Sequence, residues 1–247
     1  MDKNLLDVLS GNAGNYMLPF YWQHGDHTAS IPAEVERIYQ SGCRAFCVES
    51  RPHRDFAGDG WWRDMDIILR EAKKRDMGVW ILDDDHFPTG HAGGAVKTHP
   101  ELRPWMIGEE HLDVVGPLPS ATILLRRLPD AENRLIGVYA YPRTGTEEEI
   151  APEPIDLTGN VQGRTLRFDI PDGCYRIYFL YQTRHGAMSQ EYIDMMNPES
   201  VRLLIDAVYE PHYAHYKDEF GTTIRGFFSD EPRIGNTWFS AHACEYQ

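Results

Sequence analysis

Apolar residues in the first hundred positions come in short runs separated by stretches of helical spacing. Tyr16 to Trp22 is an apolar, aromatic run of strand length, ending in the polar string Gln23-His24-Gly25-Asp26-His27. Ser30 and Pro32 then open a predicted helix, with Val35, Ile38 and Tyr39 on one face and Gly42 as its stop. Ala45 to Val48 reads as a buried strand that delivers Glu49, Ser50 and Arg51 at its end. Trp61, Met65, Ile68 and Ala72 form the stripe of a second helix, whose last turn carries Lys73, Lys74 and Arg75 against the helix dipole. Gly78 ends it, and Val79-Trp80-Ile81-Leu82 runs directly into Asp83-Asp84-Asp85-His86. Apolar strands linked by helices predict parallel β-α units, and every strand discharges polar groups at its carboxyl end.

The texture changes between about Gly108 and Arg184. Alternating segments at 121–125, 135–141, 165–170 and 174–180, punctuated by proline and glycine, predict an antiparallel β subdomain. Pro171-Asp172-Gly173 reads as a hairpin between two of its strands. Such a block is structural, or a rim that shapes a cleft. Helical spacing then resumes: Asn197-Pro198 is a cap and first turn, Val201, Leu204, Ile205 and Val208 are the stripe, and Pro211 is a predicted kink. Ile224 to Phe228 is a fourth parallel strand, followed by Ser229-Asp230-Glu231-Pro232. The expected division is 1–107 for three β-α units, 108–186 for the insertion and 187–247 for the helix and fourth strand. The expected class is α/β: a partial (β/α) TIM-type barrel of about four parallel strands with an inserted β subdomain.

Composition narrows the function. A net charge of −14 on 247 residues repels phosphate backbones and argues against a nucleic-acid partner. Six Trp and thirteen Tyr suit a surface that stacks on sugar rings, although most aromatics fill cores. Cys43, Cys47, Cys174 and Cys244 lack metal-site spacing, and free thiols suit a reducing compartment. No apolar run approaches the roughly 20 residues of a membrane helix, and no leader sequence opens the chain, so a cytoplasmic location is expected, or a secreted or periplasmic one if a leader has been trimmed away. Gly90, Gly93 and Gly94 follow the third strand without the Lys-Ser/Thr of a nucleotide loop.

Carboxyl groups collected at strand ends are what glycosidic cleavage requires, one to protonate the leaving oxygen and one to act as nucleophile or base. Glu231 is the strongest catalytic candidate, with Asp230 beside it, because both follow an apolar strand and Pro232 fixes the chain after them. Trp22, Phe87 and Trp238 are candidate stacking platforms, whereas Trp61 shares a helix stripe and belongs to the core. His24, Asp26, Glu49, Asp83, Asp84, Asp85 and His86 are candidate substrate ligands; His27 and His91 lie beside the same strand ends. The oxygen-rich aspartate triplet also suits calcium, although no calcium-loop spacing is present.

Pro19-Phe20-Tyr21-Trp22, Leu82 to Gly90, and Gly226 to Pro232, in this order, resemble the catalytic barrel of the α-L-rhamnosidase-like glycoside hydrolases, family 106 and its relatives. The β insertion is similar as well, including Phe168 to Gly173. Where that family commonly has Asp-Gly-Trp-Pro-Ser-Gly, this chain has Asp85-His86-Phe87-Pro88-Thr89-Gly90, and His86 in place of glycine narrows the pocket floor. The resemblance implies hydrolysis of glycosides, often rhamnosides and sometimes with calcium, and makes Glu231 a catalytic carboxylate. It also implies eight barrel strands, of which only four are apparent, so further C-terminal domains or a second copy of the chain are the expected partners besides carbohydrate. Two alternatives stand beside it: a carbohydrate-binding or assembly module without hydrolysis, and a metal-dependent hydrolase using the aspartate triplet and neighbouring histidines.

Overall fold

A computed structural model of the protein describes residues 3–10, 17–126, 130–145, 149–185 and 191–234. Trp238, Cys244 and the first residue of the expected opening strand, Tyr16, lie outside them. The described residues divide into two units, one within 3–102 and 191–234, the other within 103–185.

The first unit holds helix α1 (Lys3–Leu9) and strand β1 (Phe20–Gln23), followed by helix α2 (Ile31–Gln40), strand β2 (Ala45–Ser50), helix α3 (Asp59–Lys73) and strand β3 (Gly78–Leu82). The second unit contributes strands β4 (Met106–Leu124), β5 (Asn133–Pro142), β6 (Ile155–Asp156), β7 (Val161–Gln162) and β8 (Thr165–Thr183). Back in the first unit, α4 (Pro198–Leu204), a π-turn (Ile205–Tyr209), α5 (Glu210–Tyr216) and β9 (Ile224–Phe228) complete the order.

The parallel sheet has the order β1-β2-β3-β9. Its register sets Phe20, Cys47, Trp80 and Gly226 in one row, with Trp22 beside Glu49 and Leu82 beside Phe228 further along. Side chains alternate between faces, and the helices cover one of them. Tyr21, Phe46, Val48, Val79, Ile81 and Ile224 pack with Ile31 and Val35 of α2, with Trp61, Met65, Ile68 and Ala72 of α3, and with Tyr216 of α5. The predicted α3 stripe is fully buried, each such side chain contributing about 1.5–3 kcal/mol. On the opposite face the rings of Phe20 and Phe228 meet edge to face at 5.5 Å although they stand on the two edge strands. In a flat sheet those strands would lie about 14 Å apart. The sheet therefore curls, concave on the face without helices.

One local expectation is corrected. Ser30 makes no cap bond: its hydroxyl serves His27 O and the Glu34 carboxylate instead. At Pro211 the helical run passes from the π-turn into α5, and the π-turn widens the helix where the proline ring would crowd the carbonyl four residues back. Asn197 caps α4 as its sequence predicts, accepting from Glu199 N at 3.0 Å.

The second unit is an antiparallel sheet of order β4-β8-β5-β6, with β7 pairing β8. Val138, Ala140, Leu166, Phe168, Ile177 and Tyr181 are among its buried residues. The Pro171-Asp172-Gly173 hairpin does not form; β8 runs through it. Gly116-Pro117 on β4 stands opposite, so both strands break register at one level and continue. A side chain at Gly116 would strike Pro171 O. The alternation of β4 begins at Met106, which places the expected boundary at 107/108 inside that strand.

Candidate active site

Because the four strands of the first unit are parallel, their carboxyl ends lie together. Trp22, at the end of β1, donates its indole N–H to Glu49 at 2.8 Å. Arg51 holds the other oxygen of Glu49 at 2.5 Å, and its guanidinium lies 4.9 Å from the Trp22 ring centroid and 5.4 Å from that of Phe87. Glu49 is 2% exposed and Trp22 54%. The arrangement is a buried carboxylate under an arginine flanked by two rings, with one tryptophan face open to solvent. Arg51 was legible only as a strand-end residue; its contact with Phe87 depends on the β3 loop.

The three aspartates after β3 play three different parts. Asp83 is buried and accepts from the hydroxyls of Thr89 and Tyr209, each at 2.5 Å. Burial raises its carboxyl above the usual range, while the Thr89, Tyr209 and Ser229 hydroxyls oppose the shift. Asp84 is also buried, and five backbone N–H groups close on it. Gly90, His91 and Ala92 donate to Oδ2 at 2.7, 2.6 and 2.9 Å, and Asp85 and Gly93 to Oδ1 at 2.8 and 2.7 Å. Its partner is thus the loop itself, a nest of amides around one anion, rather than an external ligand. Asp85 differs from both: its Oδ1 is buried without a hydrogen-bond partner among the described residues. Burial, reinforced by Asp84, pushes its carboxyl up to about 6.

Thr89 joins this loop to the one after β9. Its hydroxyl donates to Asp83 and accepts from Asp230 N at 3.0 Å, while its own N–H donates to Asp230 O at 3.0 Å. Tyr192 adds a second clasp, donating to Thr89 O and accepting from Arg233 N. The acidic motifs of β3 and β9 therefore occupy the same end of the sheet. The Cys47 thiol registers the convergence: burial pushes it up to about 12, and Glu49, Asp230 and Asp83 add to the shift. Glu231 is exposed, has φ +43°, and its carboxyl makes no hydrogen bond among the described residues.

His24 and Asp26 stay exposed on the β1 loop; Asp26 pairs with His27 at 3.5 Å, and neither reaches the Glu49 cluster. His86 donates from Nδ1 to Phe87 O at 2.6 Å, and its ring lies 4.0 Å from that of His91. Two buried histidines that the sequence did not single out are fully engaged: His53 with Asp64 at 3.2 Å, and His212 between Trp61 Nε1 and Val208 O. Calcium does not fit the aspartate triplet. Two of the three carboxylates already face N–H and O–H donors, and no group of three or more His, Cys, Asp or Glu among the described residues is placed to hold a metal.

No family model and no curated protein matches the chain. Among solved structures it is similar to the rhamnosidase from Novosphingobium sp. PP1Y, at 11% identity and a TM-score of 0.46 over 89% of this chain. The chain spans 38% of the length of that structure. No helix among the described residues is long and apolar enough to cross a membrane.

Proposed function

We propose that this chain is a catalytic segment of a glycoside hydrolase of the α-L-rhamnosidase-like kind, its four parallel strands forming part of a (β/α) barrel. The sequential strand order, the helices on one face and the curl that brings Phe20 to Phe228 support the barrel. The observation that carries the chemistry is the Thr89 bridge, which holds the β3 and β9 acidic motifs at one end of the sheet. Glu231 is then the acid, presented to solvent where a glycosidic oxygen can reach it. Asp230 fixes the loop through its backbone. Trp22 and Phe87 supply stacking faces, Asp85 and His86 meet the sugar from the β3 loop, His24 lies on the exposed β1 loop, and Glu49, held by Trp22 and Arg51, orients those two side chains. Glu231→Gln keeps the shape of the side chain and removes its proton-donating carboxyl, so release of the aryl group from an aryl rhamnoside should cease.

A second reading is a carbohydrate-binding module without turnover. No partner among the described residues orients the Glu231 carboxyl, which favours it, because a general acid works through a fixed geometry. Calorimetry with sugars beside the activity assay on the same chain separates the two: heat of binding with no product favours the module.

A further inference from the structure

The antiparallel sheet of the second unit gathers arginines around one tryptophan on the face turned away from its core. Asn133 of β5 and Met106 of β4 both stand opposite Thr183 of β8, and Arg134 stands opposite Gln182. Asn133 and Thr183 are buried and bonded to each other at 2.6 Å, so Arg134, one step along, points to the open face. Trp105 and Arg184 meet it there. The guanidinium carbon of Arg184 lies 4.3 Å from the Trp105 ring centroid, and that of Arg134 lies 4.9 Å from it. The ring attracts both cations. It thereby holds them at most about 10 Å apart, within the range of repulsion at 0.1 M salt. Arg184 is anchored from behind, its Nε donating to Arg103 O at 3.2 Å.

Arg134 is exposed and makes no hydrogen bond or ion pair among the described residues. Contact with a ring spends none of its five N–H donors on an acceptor. The nearby carboxylates are engaged elsewhere. Glu132 lies 4.0 Å from Arg103 and 3.3 Å from His185, and Asp130 accepts from the N–H groups of Glu132 and Asn133, each at 2.7 Å. In a chain of net charge −14, Arg134 is a cation held in place by an indole rather than by an acid.

We propose that Arg134, set on Trp105 beside Arg184, is a subsite for the carboxylate of an acidic sugar in the bound carbohydrate. Its planar fork of N–H groups matches the two oxygens of a carboxylate. Arg184 adds a second positive charge, and Trp105 positions both. The net negative charge of the chain does not oppose this, because a uronic sugar carries one carboxylate and responds to charges within about 10 Å. The subsite rests on the carbohydrate reading above, yet it uses none of the residues assigned to hydrolysis.

The probe is methyl β-D-glucuronide, with methyl β-D-glucoside as the same ring lacking the carboxylate, each titrated into the 247-residue chain by ligand-observed NMR. The parent should bind the glucuronide roughly tenfold more tightly than the glucoside, a preference that shrinks at about 0.5 M salt. Arg134→Gln should weaken the glucuronide roughly five- to tenfold and leave the glucoside unchanged. Its unfolding midpoint should match the parent's, whereas a purely structural role would lower it. Arg134→Lys keeps the charge without the fork and should fall between the two. Glucuronide binding indifferent to Arg134→Gln, or no preference over the glucoside, overturns the subsite. Turnover of an aryl rhamnoside by the same sample then shows separately whether the carbohydrate reading stands. Acetate or sulfate bound as tightly as the glucuronide overturns the assignment to a sugar.

Discussion

The loops that follow β3 and β9 both carry consecutive acids, yet they are built on opposite principles. After β3, Asp84 gathers five backbone N–H groups, Asp83 takes two hydroxyls, and Gly90 turns at φ +135° against the Tyr192 ring. After β9, Asp230 is held through its backbone by Thr89, and Glu231 stands exposed in the left-handed region. Consecutive acids thus have two uses: an anion can organise its own loop when amides surround it, or it can face outward when they do not. The first loop is closed on itself by hydrogen bonds, and the second presents a carboxyl with no hydrogen-bond partner among the described residues.

The largest expected effect comes from breaking the first loop at its centre. Asp84→Ala should cost about 3–5 kcal/mol in urea unfolding, because several buried N–H groups lose their acceptor together; a loss below about 1 kcal/mol would mean the nest is dispensable. Gly90→Ala comes next. A Cβ there would lie 2.1 Å from the Tyr192 ring at a φ that side chains rarely adopt, and a loss of about 2–3 kcal/mol is expected. Asp85 sharpens the comparison through pH. Its folded pKa is raised to about 6, so its contribution is fully present below the usual carboxylate value near 4 and is lost as pH rises through about 6. Asp85→Ala should therefore be more stable than the parent at pH 7–8, on the order of 1–2 kcal/mol, with the gap closing towards pH 4. A gap that does not change with pH would contradict the shift. The smallest effect belongs to the second loop: Glu231→Gly relieves a positive φ and should leave stability level or raise it by up to about 1 kcal/mol.

The sequence revealed what short-range pattern can encode. Buried strand cores, the α3 stripe and the Asn197-Pro198 helix start follow directly from periodicity and capping chemistry. So does the presence of acids at the ends of β2, β3 and β9. Long-range closure was not legible. Three neighbouring aspartates look alike in sequence, and only the return of residues 90–93 onto Asp84 and of Tyr209 onto Asp83 separates their roles. Tyr209 reaches Asp83 from a π-turn, a register that no helical period predicts. Residues 106–115 escaped notice as a strand because Gly108 and Glu110 interrupt the less exposed positions, while Ile107 and Val115 stand among the exposed ones. The hairpin expected at Pro171 to Gly173 failed because its turn residues lie opposite Gly116-Pro117, and that pairing is visible only once β4 and β8 are in register.

The most direct test of the account is turnover of an aryl rhamnoside by the 247-residue chain and its Glu231→Gln variant, with circular dichroism and unfolding midpoints measured on both. Matched folding and a fall in kcat of roughly a hundredfold or more are expected. Equal turnover by the two proteins would remove Glu231 from the chemistry and contradict it.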